Sequence, residues 1–140
     1  MASTSIFVNL PVKDLDRSVA FFTKLGYSFN PQFTDKNATC MVVSDQIFVM
    51  LLVEPFFQSF LAKTKVSDAK SATEVLLAFS ADSRAAVDRM MEKALAAGAH
   101  SQRDPQDLGF MYSRSFADPD GHIWEHFWMD PKHQVQHVGS

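Results

Sequence analysis

Phe116-Ala117-Asp118-Pro119-Asp120-Gly121-His122-Ile123-Trp124-Glu125-His126-Phe127-Trp128 reads as strand, tight turn, strand. Proline at 119 presets φ at a corner, and glycine at 121 accepts the positive φ that such turns demand. Beyond the turn, alternation puts Ile123, Glu125 and Phe127 on one face and His122, Trp124, His126 and Trp128 on the other. Glu125 is then a carboxylate set between apolar neighbours. Such a group is expected to be ion-paired, hydrogen-bonded or bound to a cation, because burying a bare charge is costly.

Upstream of this hairpin, Glu74 to Ser80 predicts a strand, and Asp82 is placed to cap a helix over about 82–97. The helix stripe is Val87, Met90, Met91, Ala94 and Leu95, and Gly98 ends it. Extended segments at Ala99–Arg103, Phe110–Phe116 and Ile123–Met129 complete the half. The first half of the chain has the same order. Ile6–Val12 is a strand, with Pro11 marking an edge or a strand end. Asp14 opens a helix over about 14–25 with the stripe Leu15, Val19, Phe22 and Leu25, and Gly26 closes it. Strands follow at Tyr27–Phe33, Ala38–Ser44 and Ile47–Val53, with turns at Asp35-Lys36-Asn37 and Asp45-Gln46. Asp14 to Asp82 is an offset of 68 residues and Gly26 to Gly98 one of 72. Near-equal offsets with preserved element order indicate an internal duplication.

Between the halves, 54–72 is a connector. Phe56, Phe57, Phe60 and Leu61 predict one short amphipathic helix, and the rest is polar with three lysines. Packing against a sheet edge or a partner subunit is favoured over a lid above a cavity. The tail after Asp130-Pro131 is polar and expected to fray.

A chain of 140 residues with 46% hydrophobic and 21% charged residues is sized for one globular unit. Its net charge of −3 leaves no electrostatic footprint for nucleic acid or an anionic membrane. Cys40 is the single cysteine, so no internal disulfide forms and a reducing compartment fits. Neither a signal-peptide pattern nor an apolar run of about 20 residues is present. A soluble cytoplasmic protein is expected.

Leu10-Pro11-Val12-Lys13-Asp14-Leu15-Asp16-Arg17-Ser18-Val19-Ala20-Phe21-Phe22 opens the first module, and Phe116 to Glu125 closes the second. With the tandem strand-helix-three-strand order, these stretches resemble the vicinal oxygen chelate superfamily. It includes glyoxalase I, the bleomycin and fosfomycin resistance proteins and the extradiol dioxygenases. The resemblance implies an α+β fold in which tandem βαβββ modules form a curled mixed sheet around a cleft. The whole chain is then a single domain: module one about 5–53, connector 54–72, module two about 73–130, tail 131–140.

The resemblance also implies a divalent metal held by His, Glu or Gln on the first and last strands of each module, acting as a Lewis acid. Carried over by position, only Glu125 fits. Leu76 and Phe7 offer no donor, and Met50 is a soft thioether unsuited to a hard ion. No metal or other cofactor is therefore expected. The alternative is a displaced ligand set of Asn9, Glu74 and Glu125.

Five histidines form no recognised ligand spacing. His126 reads as structural, His122 as a turn residue, and His100, His133 and His137 as a strand start and tail. Tyr112, Arg114 and Phe116 alternate on one strand face, where Arg114 either pairs with Glu125, meets an anionic ligand or is solvated. Trp124 and Trp128 read as core or dimer packing, and Cys40 as a buried small hydrophobe. The resemblance supports two balanced readings. One is a metal-free protein holding a small oxygenated molecule in a cleft of Phe7, Asn9, Met50, Leu76, Tyr112, Arg114 and Phe127, with Glu125 as the candidate catalytic group. The other is a metal-dependent lyase, isomerase or dioxygenase. A structural role with no ligand is the third. A homodimer is expected, with Phe56, Phe57, Phe60 and Trp128 as candidate anchors.

Overall fold

The computed structural model describes residues 2–133, so His137 and the rest of the tail from 134 lie outside the described residues. The chain divides into two compact units, Met1–Ala72 and Thr73–Ser140. The first holds β1 (Ile6–Val12), α1 (Leu15–Lys24), β2 (Ser28–Asn30), β3 (Ala38–Val42), β4 (Ile47–Val53) and α2 (Glu54–Gln58). The second holds β5 (Leu76–Ser80), α3 (Arg84–Ala96), β6 (His100–Asp107), β7 (Met111–Ala117) and β8 (Ile123–Met129). Each unit has one four-stranded mixed sheet, ordered β1-β4-β3-β2 and β5-β8-β7-β6. The first and last strands of each unit pair in parallel, and the remaining pairs are antiparallel. The two orders match element for element, as the duplication predicts.

Local chemistry explains the repeated strand-helix step. Asp14 caps α1, its Oδ1 accepting from the Arg17 N–H at 3.1 Å. At the second helix the cap is Ser83 and not the expected Asp82; Ser83 Oγ accepts from the Ala86 N–H at 3.0 Å. Both residue types can cap, and α3 begins where Val87, Met91 and Ala94 become buried. Both helices end alike. The Gly26 and Tyr27 N–H groups donate to the carbonyls of Thr23 and Phe22, and the Gly98 and Ala99 N–H groups to those of Leu95 and Ala94. This Schellman geometry needs a left-handed residue, and Gly26 and Gly98 sit at φ 102° and 103°. A Cβ at 98 would meet nothing within 4 Å, so the constraint is backbone conformation and not space.

Several element boundaries differ from expectation. The predicted strand Tyr27–Phe33 shortens to Ser28–Asn30, because Pro31 starts a 3-10 turn over Pro31–Phe33 that Asn30 caps. The stripe of α1 is rotated, with Ser18 and Phe21 buried beside Phe22 and Leu25. Leu95 is exposed and lies outside the core stripe of α3. Glu74 is exposed and precedes β5. The connector helix stops at Gln58, short of Phe60 and Leu61. β6 runs on to Asp107, where Arg84 clasps the hairpin tip. Its guanidinium donates to both Asp107 oxygens at 2.9 and 3.0 Å and to the Gly109 carbonyl at 2.7 Å. The same group lies 5.3 Å from the Tyr112 ring centre and 5.1 Å from that of Trp128. Arg84 and the Gly109 N–H together hold the Asp107 carboxyl down at about 2. Trp128 thus packs under Arg84 on its own module.

The cores follow from strand alternation. In the first module Leu10, Val12, Met41, Val49 and Leu51 share one sheet face and are buried, as are Phe21, Phe22 and Leu25 of α1. In the second, Leu77, Phe116, Trp124 and His126 share the face covered by α3. His126 lies between Phe79 and Phe116, its ring centre 5.9 and 6.0 Å from theirs, as a structural histidine. Cys40 is buried, as expected, and its thiol is pushed up by that burial.

The hairpin that led the sequence reading closes around Asp118. One carboxylate oxygen accepts from the N–H groups of Asp120 and His122 at 2.9 and 3.0 Å, and the other from Trp124 Nε1 at 2.9 Å. Gly121 supplies φ 92°. Burial pushes the Asp118 carboxyl above its ordinary range despite these donors. Asp118→Ala orphans three donors and should destabilise the chain by about 2–4 kcal/mol in urea unfolding. Asp118→Asn should cost clearly less, since its oxygen can keep the backbone donors while its NH₂ cannot accept from Trp124. Equal losses in the two variants would show that the hydrogen bonds are not the source.

His126 generates a pH prediction. Burial lowers its pKa from 6.5 to about 4, so below pH 6.5 the unfolded chain binds a proton that the folded chain refuses. Its contribution to stability is complete above pH 6.5 and is lost as the pH falls toward 4. Between pH 7.5 and 5 the wild type should lose about 2 kcal/mol more than His126→Gln. Parallel stability curves for the two would contradict the assignment.

Candidate functional site

In each module register decides which candidate residues share the face away from the core helix. In the first module Phe7, Asn9 and Pro11 share a face with Phe48, Met50 and Leu52, and with Ala38 and Cys40. Phe7, Asn9 and Met50 therefore stand together as expected. The Phe7 and Phe48 rings stack with centres 4.6 Å apart. Asn9 Nδ2 donates to the Phe7 carbonyl at 3.2 Å. A carbonyl only accepts, so this bond engages Nδ2 and leaves Oδ1 as the acceptor of the amide.

The connector returns over this same face. Phe57, Phe60 and Leu61 join Asn9 and Leu52 around a pocket of about 340 Å³. The Phe56 and Phe60 rings meet edge to face at 5.1 Å. Gln58 ties down the following loop, donating to the Thr64 carbonyl at 2.8 Å and accepting from the Val66 N–H at 3.1 Å. The connector was expected to pack at a sheet edge or on a partner; here it walls a cavity within its own unit.

In the second module the expected grouping divides. Leu76, Ala78, Ile123, Glu125 and Phe127 share a face, joined from β7 by Ser113 and Ser115. Tyr112 and Arg114 lie on the other face, against α3. Tyr112 donates to Asp88 Oδ1 at 2.6 Å, and Arg114 Nη1 donates to the same oxygen at 3.1 Å. The Tyr112 hydrogen bond, with Arg114, holds the Asp88 carboxyl below its ordinary value. The physical reason is parity. In an antiparallel pair, opposite residues share a face, and Ser115, not Arg114, stands opposite Glu125.

Glu125 does have an arginine partner. It is Arg103 of β6, whose Nη2 donates to Glu125 Oε1 at 3.0 Å and approaches Ser113 Oγ at 3.4 Å. Of the three roles open to Arg114, a Glu125 partner, an anion contact or a solvated group, the first does not form: Arg114 pairs with Asp88, and Glu125 with Arg103. Arg103, Ser113 and Ser115 were not among the sequence candidates. Ser113 and Ser115 were legible from the alternation of β7 against β8, whereas Arg103 arrives through a register shift in β6 that no periodicity announces.

The side chains do not fit a divalent metal. On the Glu125 face the neighbouring register positions hold Leu76, Ala78, Ile123 and Phe127, and a guanidinium already neutralises the carboxylate. Glu74 lies outside β5. Among the described residues, no three His, Cys, Asp or Glu side chains gather to hold a metal ion.

A sequence model described as "Bleomycin resistance protein-like N-terminal" matches residues 4–44. Comparison against curated proteins finds no match. Among solved structures, a hypothetical protein, SA1046, from S. aureus is 26% identical with a TM-score of 0.75, covering 91% of this chain and 95% of its own. A glyoxalase/bleomycin resistance protein/dioxygenase family enzyme from Burkholderia phytofirmans PsJN is 18% identical, TM-score 0.74, covering 91% and 99%. Lactoylglutathione lyase from Agrobacterium tumefaciens is 17% identical, TM-score 0.69, covering 91% and 94%. At the two lower identities the likeness is one of fold. Set beside the repeated module, it shows that this chain has the fold of the glyoxalase/bleomycin resistance/dioxygenase proteins, and the match to the bleomycin resistance protein-like model spans residues 4–44.

Proposed function

We propose that this chain binds a small, partly aromatic, oxygenated molecule without a divalent metal, using the pocket beneath its connector. The observation that carries this reading is the pocket itself. Phe57, Phe60, Leu61 and Leu52 offer apolar walls, and Asn9, whose Nδ2 is held by the Phe7 carbonyl, is the polar residue of the lining. A cavity of about 150 Å³ admits benzene, so 340 Å³ holds a substituted ring. Asn9 Oδ1 favours a ligand that presents O–H or N–H, since an acceptor that a ligand covers and leaves unpaired is penalised. None of these five lining residues transfers a proton near neutral pH, which favours binding over catalysis. The competing reading is a metal-dependent lyase or dioxygenase using Asn9, Glu74 and Glu125. Glu74 off its strand and Glu125 already paired weigh against it.

The reading extends to a cytoplasmic homodimer that does not bind nucleic acid. Phe60 is 68% exposed beside the pocket and is the strongest anchor candidate. No helix among the described residues is long and apolar enough to cross a membrane.

Phenol should raise the melting temperature saturably, and anisole, which lacks the donor, should do so far less. Asn9→Leu should remove the difference. Indistinguishable responses to phenol and anisole would sink the Asn9 role. Metal analysis after dialysis should find divalent ions well below stoichiometric amounts, and near-stoichiometric nickel, zinc, iron or manganese would restore the metal-dependent reading. Light scattering should report a dimer at micromolar concentration, and a monomer would remove that part of the proposal.

A further inference from the structure

The second module carries a polar cluster that the connector pocket does not use. Pairing between β6 and β7 shifts between Ser101 and Arg103. Ser101 stands opposite Phe116, and the next paired residue, opposite Ser115, is Arg103 and not Gln102. Gln102 still reaches that residue, its Oε1 accepting from Ser115 Oγ at 3.1 Å. Two residues of β6 therefore serve one of β7, which is a β-bulge. Strict alternation would send Gln102 and Arg103 to opposite faces. The bulge brings both to the face that holds Glu125.

The guanidinium there is only partly engaged. Nη2 serves Glu125 and Ser113, while among the described residues Nη1 and Nε hold no partner. The Arg103 side chain is 37% exposed and that of Glu125 19%. Nη2, the nitrogen that both two-donor edges share, is thus held by the ion pair and by Ser113, and Nη1 and Nε remain open as single donors. Ile123 and Phe127, on either side of Glu125 along β8, supply apolar surface on the same face.

We propose that this cluster is an anion site for the planar carboxylate of a small molecule with an apolar body. Arg103 is the binding residue, and Glu125 is a positioning residue that holds its guanidinium. With Nη2 engaged, an incoming carboxylate takes one charge-assisted hydrogen bond from Nη1 or Nε, while its apolar body lies on Ile123 and Phe127, a surface that inorganic phosphate cannot use. Glu125 orients the group but also repels an incoming anion. This gives the proposal a sign that a metal-ligand or ligand-contacting role for Glu125 would reverse. The inference concerns a different module from the connector pocket and does not depend on it.

The test is calorimetric titration of the full chain with benzoate, benzamide and inorganic phosphate, in wild type, Glu125→Gln and the double variant Arg103→Gln with Glu125→Gln. The double variant removes both charges together, so neither is left buried and unpaired. Benzoate should bind saturably, benzamide should not, and phosphate should bind more weakly than benzoate. Glu125→Gln should tighten benzoate about three- to fivefold, the scale of a partly exposed charge pair. The double variant should lose benzoate while keeping a cooperative urea-unfolding transition like that of the wild type. The proposal is overturned if benzoate binds neither the wild type nor Glu125→Gln, if the double variant binds it equally, or if Glu125→Gln weakens it. Phosphate binding more tightly than benzoate would overturn the carboxylate assignment.

Discussion

The Asp118 carboxylate and its three donors set the register on which the second module depends. By holding the N–H groups of Asp120 and His122, it closes the turn at Gly121, and by holding Trp124 Nε1 it anchors the first core side chain beyond it. With the turn closed, Ala117 stands opposite Ile123, and every later pair is counted from there. A slip of one residue would exchange the two faces of β8 and send Trp124 and His126 out of the core. The same slip would carry Glu125 away from Arg103 and under α3. The turn thus determines the chemistry of the site face although it contributes no side chain to it.

The two modules share a frame and differ in what they hang on it. In both, the first strand pairs in parallel with the fourth, and the third lies antiparallel beside the fourth. Met50 in the first module corresponds by register to Glu125 in the second. Cys40 corresponds to Ser115, Asn30 to Arg103, and Asn9 to Ala78. One module therefore carries a largely apolar face on which Asn9 lines the pocket, while the other presents an ion pair flanked by hydroxyls. A duplicated backbone fixes where side chains point, not what they are. That freedom explains how a chain of this fold can hold a guanidinium beside the carboxylate that the resemblance would assign to a metal.

Cation placement also separates structural arginines from the functional candidate. Arg84 is spent on Asp107, the Gly109 carbonyl and two aromatic rings, and Arg114 is tied to Asp88. Arg103 alone of these three keeps donors open beside apolar surface on the Glu125 face. The bulge that delivers it is a local break in a ladder, and such breaks re-aim side chains at a cost in pairing.

The sequence by itself determined the duplicated β-α-β-β-β order, the helix stops at Gly26 and Gly98, and the turn at Asp118–Gly121. These are local features: a left-handed backbone position, a preset proline φ and an apolar period are each written within a few residues. It also determined that Phe7 and Asn9 share a face, since period-two alternation needs only the strand assignment, whereas Met50 joins them through the β1–β4 register. Which arginine meets Glu125 was decided by tertiary structure. Arg114 is nearer in sequence, but strand parity turns it toward α3, and Arg103 reaches Glu125 through a bulge 22 residues upstream. The role of the connector was decided there too. Phe57, Phe60 and Leu61 are apolar in any reading, and only the return of that segment over Asn9 and Leu52 makes them the wall of a pocket.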